Sequence, residues 1–152
     1  MKEEGETMTK PKSILLFDRL FLAAIVLGIA AFAYRWSETS ALFASTPEAS
    51  ALGMGPGFLI GTFAVGMAIN LIIWYFISRR RSKIAKWIQV VLYVLGLVFF
   101  LTSLNNPLSP KGLALAANLV IYALYGAATY MLFRPDTAAW FGNDRVDPDA
   151  FR

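Results

Sequence analysis

The sequence predicts an all-α protein, a four-transmembrane-helix bundle with a short cytoplasmic interfacial helix at its C-terminal end. Composition is the first observation behind that reading: of 152 residues 57% are hydrophobic and only 16% charged, against about 25% charged in an ordinary soluble domain. The second is four apolar stretches, Ile14 to Tyr34, Phe58 to Ser78, Ile84 to Leu104 and Leu113 to Phe133, each 21 residues long. A helix of that length, rising about 1.5 Å per residue, spans the ~30 Å hydrocarbon core. The third is that lysine and arginine gather at the ends of these stretches. A barrel would need strict alternation, whereas Leu92 to Leu101 is apolar all round. A soluble bundle would need amphipathic helices. The division expected is a tail over 1–13, a membrane domain over 14–141 that includes an interfacial helix at 135–141, and a polar tail over 142–152.

The first stretch imitates a signal peptide, with Lys10 and Lys12 ahead of it and Ala31-Phe32-Ala33 near its end. Counted back to Ile14 it has membrane-spanning length, and Trp36 beyond Arg35 suits an interfacial anchor, so a retained helix is expected. The next connection is a surface connector. Within it Thr46 caps a one- or two-turn helix, Pro47 takes its first position and Gly53 lies past its end.

In the second stretch Gly57, Gly61, Ala64 and Ala68 share one face, while Thr62, Gly66 and Asn70 share another. Small residues let helices approach closely, so this helix is expected between two neighbours. The third aligns Gln89, Tyr93, Gly96, Phe100 and Ser103. Asn105-Asn106-Pro107 ends it and Pro110 precedes the fourth, so these two helices are antiparallel neighbours. The fourth places Asn118, Tyr122, Tyr125 and Thr129 on one side and Ala116, Ala123 and Ala127 on the other. Gln89, Tyr93, Asn118, Tyr122, Tyr125 and Thr129 either bond between helices or line a pathway. After it, Pro135 and Asp136 suit a first helical turn and Gly142 an end, with Trp140 and Phe141 as anchors at headgroup level.

Orientation follows from the basic residues, 12 on one side (the N-terminal segment, 79–86 and the C-terminal tail) and only Arg35 and Lys111 on the other. Short loops rich in Lys and Arg stay cytoplasmic, which puts both termini and the 79–86 connection inside. The Arg79-Arg80-Arg81 cluster also attracts anionic lipid headgroups. Asp18 and Arg19 alone intrude into an apolar stretch. Asp18 is expected to form an interfacial ion pair with a cation of the cluster, while Arg19 snorkels to the headgroups.

Pro11-Lys12-Ser13-Ile14, Ser82-Lys83-Ile84-Ala85-Lys86-Trp87 with Val91 to Leu97, and Leu132-Phe133-Arg134-Pro135 through Ala139-Trp140-Phe141 resemble an uncharacterised family of small bacterial four-helix inner-membrane proteins. The resemblance spans most of 11–141, apart from the long first connection. It implies a bacterial inner membrane and the same topology, and it carries no activity, substrate or catalytic residue.

The chain has no cysteine and no histidine, which excludes disulfides, Cys/His zinc sites, His-ligated haem and a Ser-His-Asp triad. No cofactor, metal or catalytic residue is expected, and no nucleic-acid partner. Three function classes are weighed, of which a membrane enzyme is disfavoured because the cysteine pairs, histidines and clustered aspartates that such enzymes use are absent. Of the remaining two, one is a non-catalytic accessory or assembly subunit that meets another membrane protein, or a second copy, through small-residue helix faces. The other is a small oligomeric transporter or channel, which the absence of a membrane-embedded carboxylate disfavours.

Overall fold

A computed structural model of the protein describes residues 9–47, 51–105 and 109–142. Among them are five α-helices: α1 (Lys12–Tyr34), α2 (Trp36–Ala44), α3 (Pro56–Ser78), α4 (Lys83–Ser103) and α5 (Leu113–Met131), followed by a 3-10 turn over Pro135–Thr137. Four of these are long and apolar enough to cross a membrane. Their limits fall within two residues of the expected stretches, because the same signals that break the apolar runs also stop the helices. Pro56 opens α3 at its first turn, where its missing N–H costs nothing. The Ser82 hydroxyl accepts the Ala85 N–H at 3.2 Å and caps α4. Gly112 opens α5 with φ 56° and ψ −128°, a conformation that only glycine takes without strain.

The four long helices form a ring in which α1 touches α5, α5 touches α4, α4 touches α3 and α3 returns to α1. The α1–α5 pair is by far the most extensive. On α1, Ile14, Phe17, Phe21 and Ile25 are buried, a stripe at helical spacing. They meet Ile73 and Ile77 of α3, Ala128 of α5 and Leu132 just beyond it. Aromatic contacts extend this seam, with the Phe17 and Phe21 rings 5.2 Å apart and Phe21 edge-on to Tyr125 at 5.1 Å. The outer surface carries large apolar side chains such as Val26, Leu95, Phe99 and Leu119. A multi-pass membrane protein presents such a belt to lipid, where helices gain from close packing rather than from hydrophobic burial.

Three expectations change. The first connection is not a plain connector, since the chain passes through Arg35 directly into α2, whose Glu38 sits favourably in the first turn. Thr46 donates its hydroxyl back to Leu42 O at 3.0 Å; Pro47 and Ala51 are helical, and the middle of that short helix lies outside the described residues. The expected interfacial helix over 135–141 is instead the 3-10 turn followed by further turns to Gly142. Thr137 donates its hydroxyl to Leu132 O and Arg134 O, which winds the chain back under α5. Finally, α3 is not held between neighbours on both faces. Gly57, Gly61, Ala64 and Ala68 are exposed, and a Cβ added at either glycine would meet nothing within 4 Å. The polar tails, and Asn106-Pro107 at the end of α4, also lie outside the described residues.

Candidate functional site

Residues that matter gather in two places, one at each depth of the bundle. The first is the end where α1 begins, where α3 gives way to α4 and where the chain leaves α5. Asp18, one and a half turns into α1, accepts from Lys10 Nζ at 2.8 Å and from Trp74 Nε1 at 2.9 Å. Lys10 also donates to Ser78 Oγ at 2.6 Å. The ion pair of Asp18 is therefore with Lys10 and not with Arg79, Arg80 or Arg81. Lys10 lies just ahead of α1 and reaches Asp18, whereas Arg79 and Arg80 follow the end of α3 and are exposed. Arg81 adopts φ 54°, a left-handed turn that usually falls to glycine. Its guanidinium lies 4.4 Å from the Trp140 ring centroid, a cation–π contact that ties the turn down.

Trp140 and Phe141, expected as headgroup anchors, are each 5% exposed and belong to the core. The cause is an orphan carbonyl at the end of α3: Trp140 Nε1 donates to Ile77 O at 3.3 Å. Lys86 Nζ sits 4.1 Å from the Phe133 ring and 5.1 Å from Phe141, and Lys83 donates to Gly142 O at 3.2 Å. Asp136 accepts both the Ser13 hydroxyl at 2.7 Å and the Ser13 N–H at 3.1 Å, and so latches the start of α1 to the segment after α5. These bonds, the hydroxyl's first, hold the Asp136 carboxyl below its ordinary value. Trp36, the third expected anchor, is half-buried near the opposite end with its ring 5.6 Å from Phe32.

The second place is a cavity of about 640 Å³ between the four long helices. Helical spacing explains its walls. From α4 come Gln89, Tyr93 and Gly96, and from α5 Asn118, Tyr122 and Tyr125, each set a stripe along one face. From α3 come Phe63, Gly66, Met67, Ile69 and Asn70, and from α1 Ala24, Gly28 and Ala31, with Arg35 at the mouth. Small residues on all four walls leave the space open at helix spacings that larger side chains would fill. Tyr122 donates to Gly96 O at 3.0 Å and stacks on Phe100 with centroids 4.6 Å apart. Asn70 donates to Gly66 O at 2.9 Å. Above them Phe32 and Phe63 stack at 3.9 Å and 8°, and Arg35 Nε reaches Glu38 at 3.5 Å.

The structure thus brings together five of the six polar residues expected as a lining. The sixth, Thr129, is buried outside the cavity wall and its hydroxyl has no partner among the described residues. Of the small-residue faces, Gly66 and Asn70 turn to the cavity, while Ala116 and Ala123 are exposed and Ala127 is half-buried. Sequence reasoning missed Lys10, Trp74 and Ser78 around Asp18, since their meeting depends on how α1 leans on α3. It also missed Gly126, where an added Cβ would lie 2.5 Å from the Tyr93 hydroxyl. A glycine opposite a tyrosine stripe was the available signal.

Chemically the cavity offers neutral amides and phenols inside and one cation at its rim. Among the described residues no group of three or more His, Cys, Asp or Glu could hold a metal ion. No protein-family model, curated protein or solved structure matches the chain. The resemblance to small four-helix inner-membrane proteins rests on the helix-end residues alone.

Proposed function

We propose that this multi-pass membrane protein is a non-catalytic accessory or assembly subunit of a bacterial inner membrane, which holds another membrane protein against the small-residue face of α3. The observation that carries the reading is the outward stripe Gly57, Gly61, Ala64 and Ala68, with open space at both glycines. α3 is also the least buried of the four, 6% of its most apolar window against 28% in α1. A backbone bared by glycine at i and i+4 admits a second helix at close range. The basic excess supports cytoplasmic termini, Arg79 and Arg80 supply charge for anionic headgroups, and the helix-end resemblance supports the bacterial setting.

Crosslinking in native membranes followed by mass spectrometry tests the association. A stoichiometric protein partner at α3, lost in Gly61→Leu and kept in Leu71→Ala, is the expected result. Self-crosslinks alone would mean a homo-oligomer, and equal behaviour of the two variants would remove the case for the glycine face. Alkaline phosphatase fused after residue 48 or 109 is expected to be active and after 82 or 143 inactive; the reverse pattern refutes the orientation. A second reading, a small oligomeric transporter or channel, is favoured by one observation, the polar-lined cavity.

A further inference from the structure

The cavity has a chemistry of its own, independent of the α3 contact. We infer that it is a binding site for a neutral, membrane-soluble molecule bearing a carbonyl or hydroxyl group on an otherwise apolar frame.

Gln89 is the starting point. It is 3% exposed, it forms part of the cavity wall, and its amide has no hydrogen-bond partner among the described residues. Its amide is not among the fully buried polar atoms left without a partner, so it keeps access to the cavity, where a ligand oxygen can accept its N–H. Around the same space Asn118 adds a second amide, and Asn70, whose N–H is committed to Gly66 O, keeps its oxygen as an acceptor. Donors and acceptors are thus both present, which suits a hydroxyl or carbonyl compound.

Charge selects against the other amphiphiles. Among the described residues no carboxylate lines the cavity, so an organic cation would enter without a counter-ion from them. Arg35 stands at the rim and already faces Glu38 at 3.5 Å, so an anion would compete with an acid in place. The remaining walls, Ala24, Gly28, Ile69, Leu92 and Ile121 among them, are apolar. The volume of about 640 Å³ lies inside the roughly 300–1,000 Å³ of small-molecule sites. From Arg35 to Ala24 the wall of α1 runs about 16 Å at 1.5 Å per residue, deep enough to take the body of such a molecule from the end of α1 to its middle.

The test uses the full chain in phosphatidylcholine liposomes with three diazirine probes that share a decyl chain and end in a hydroxyl, a carboxylate or a trimethylammonium group. Mass spectrometry maps the label. The hydroxyl probe is expected to label Ile69, Leu92 or Ile121 saturably, in competition with unlabelled decanol and ahead of both charged probes. Gln89→Leu, which keeps a side chain of similar bulk, is expected to lower labelling about fivefold, the effect of one hydrogen bond. Gly66→Leu is expected to abolish labelling by filling open space, since a Cβ there meets nothing within 4 Å. Labelling that does not saturate, that falls equally on lipid-facing Leu119, that favours a charged probe, or that survives Gly66→Leu overturns the inference. So does unchanged labelling in a folded Gln89→Leu protein.

Discussion

The two ends of this bundle are built differently. Where α1 begins, four chain segments are pinned by directed contacts: Lys10 and Trp74 on Asp18, Ser13 on Asp136, Trp140 on Ile77 O, and Arg81 over the Trp140 ring. Toward the other end, small residues line a cavity, α2 buries no residue at all, and the nearest ion pair joins Arg35 to a largely exposed Glu38. In lipid, apolar side chains gain little by leaving the bilayer for the interior. Stability then concentrates where polar groups meet, and the apolar remainder is free to stay open.

Substitutions should sharpen or erase that contrast. Trp140→Ala should have the largest effect, about 3–4 kcal/mol by the usual cost of emptying a buried tryptophan site, read as a fall in melting temperature in mild detergent. Asp18→Ala should follow at about 1–3 kcal/mol, since it strands the Lys10 ammonium and the Trp74 N–H; Asp18→Asn should recover part of this by leaving Trp74 an acceptor. Ser13→Ala should cost on the order of 1 kcal/mol by removing the hydroxyl's bond to Asp136, the backbone N–H bond staying in place.

The same latch has a pH signature. The folded Asp136 carboxyl lies below its ordinary value of 3.8, so its contribution is fully present above that pH and is lost as pH falls through the folded value. Asp136→Asn should flatten the stability profile in that acid window only, and modestly, because the carboxyl is exposed. At the open end Gly66→Ala should do least, changing stability by under about 0.5 kcal/mol and in the favourable direction. A loss there as large as that of Trp140→Ala would abolish the distinction between the ends.

Much of this was legible before any coordinates. Apolar length set the four spans, because a membrane leaves the backbone no other way to satisfy its N–H and C=O groups. Helical periodicity likewise put Gln89, Tyr93, Asn118, Tyr122 and Tyr125 on faces that turned out to share one cavity. Contacts between distant segments were not legible. Periodicity says which residues share a face but not which neighbour that face meets, so it points Asp18 to the arginines after α3 rather than to Lys10. Trp140 and Phe141 mislead for a related reason: an aromatic pair at a helix end suits headgroups as well as it suits a core. Only the free carbonyl of Ile77 separates the two, and no local pattern announces it.

The latch between Ser13 and Asp136 joins residues 123 positions apart, and in α1 and α5, the most extensively packed pair, the two partners are separated by α2, α3 and α4 along the chain. At roughly 5–20 residues per second, α5 leaves the ribosome several seconds after α1 has entered the membrane. Until then the Phe17 and Phe21 face can meet Ile73 and Ile77 of α3 but not Tyr125 and Ala128 of α5. The seam is thus completed by α5, and a chain cut short before it would keep α1 beside α3 but without its most extensive partner.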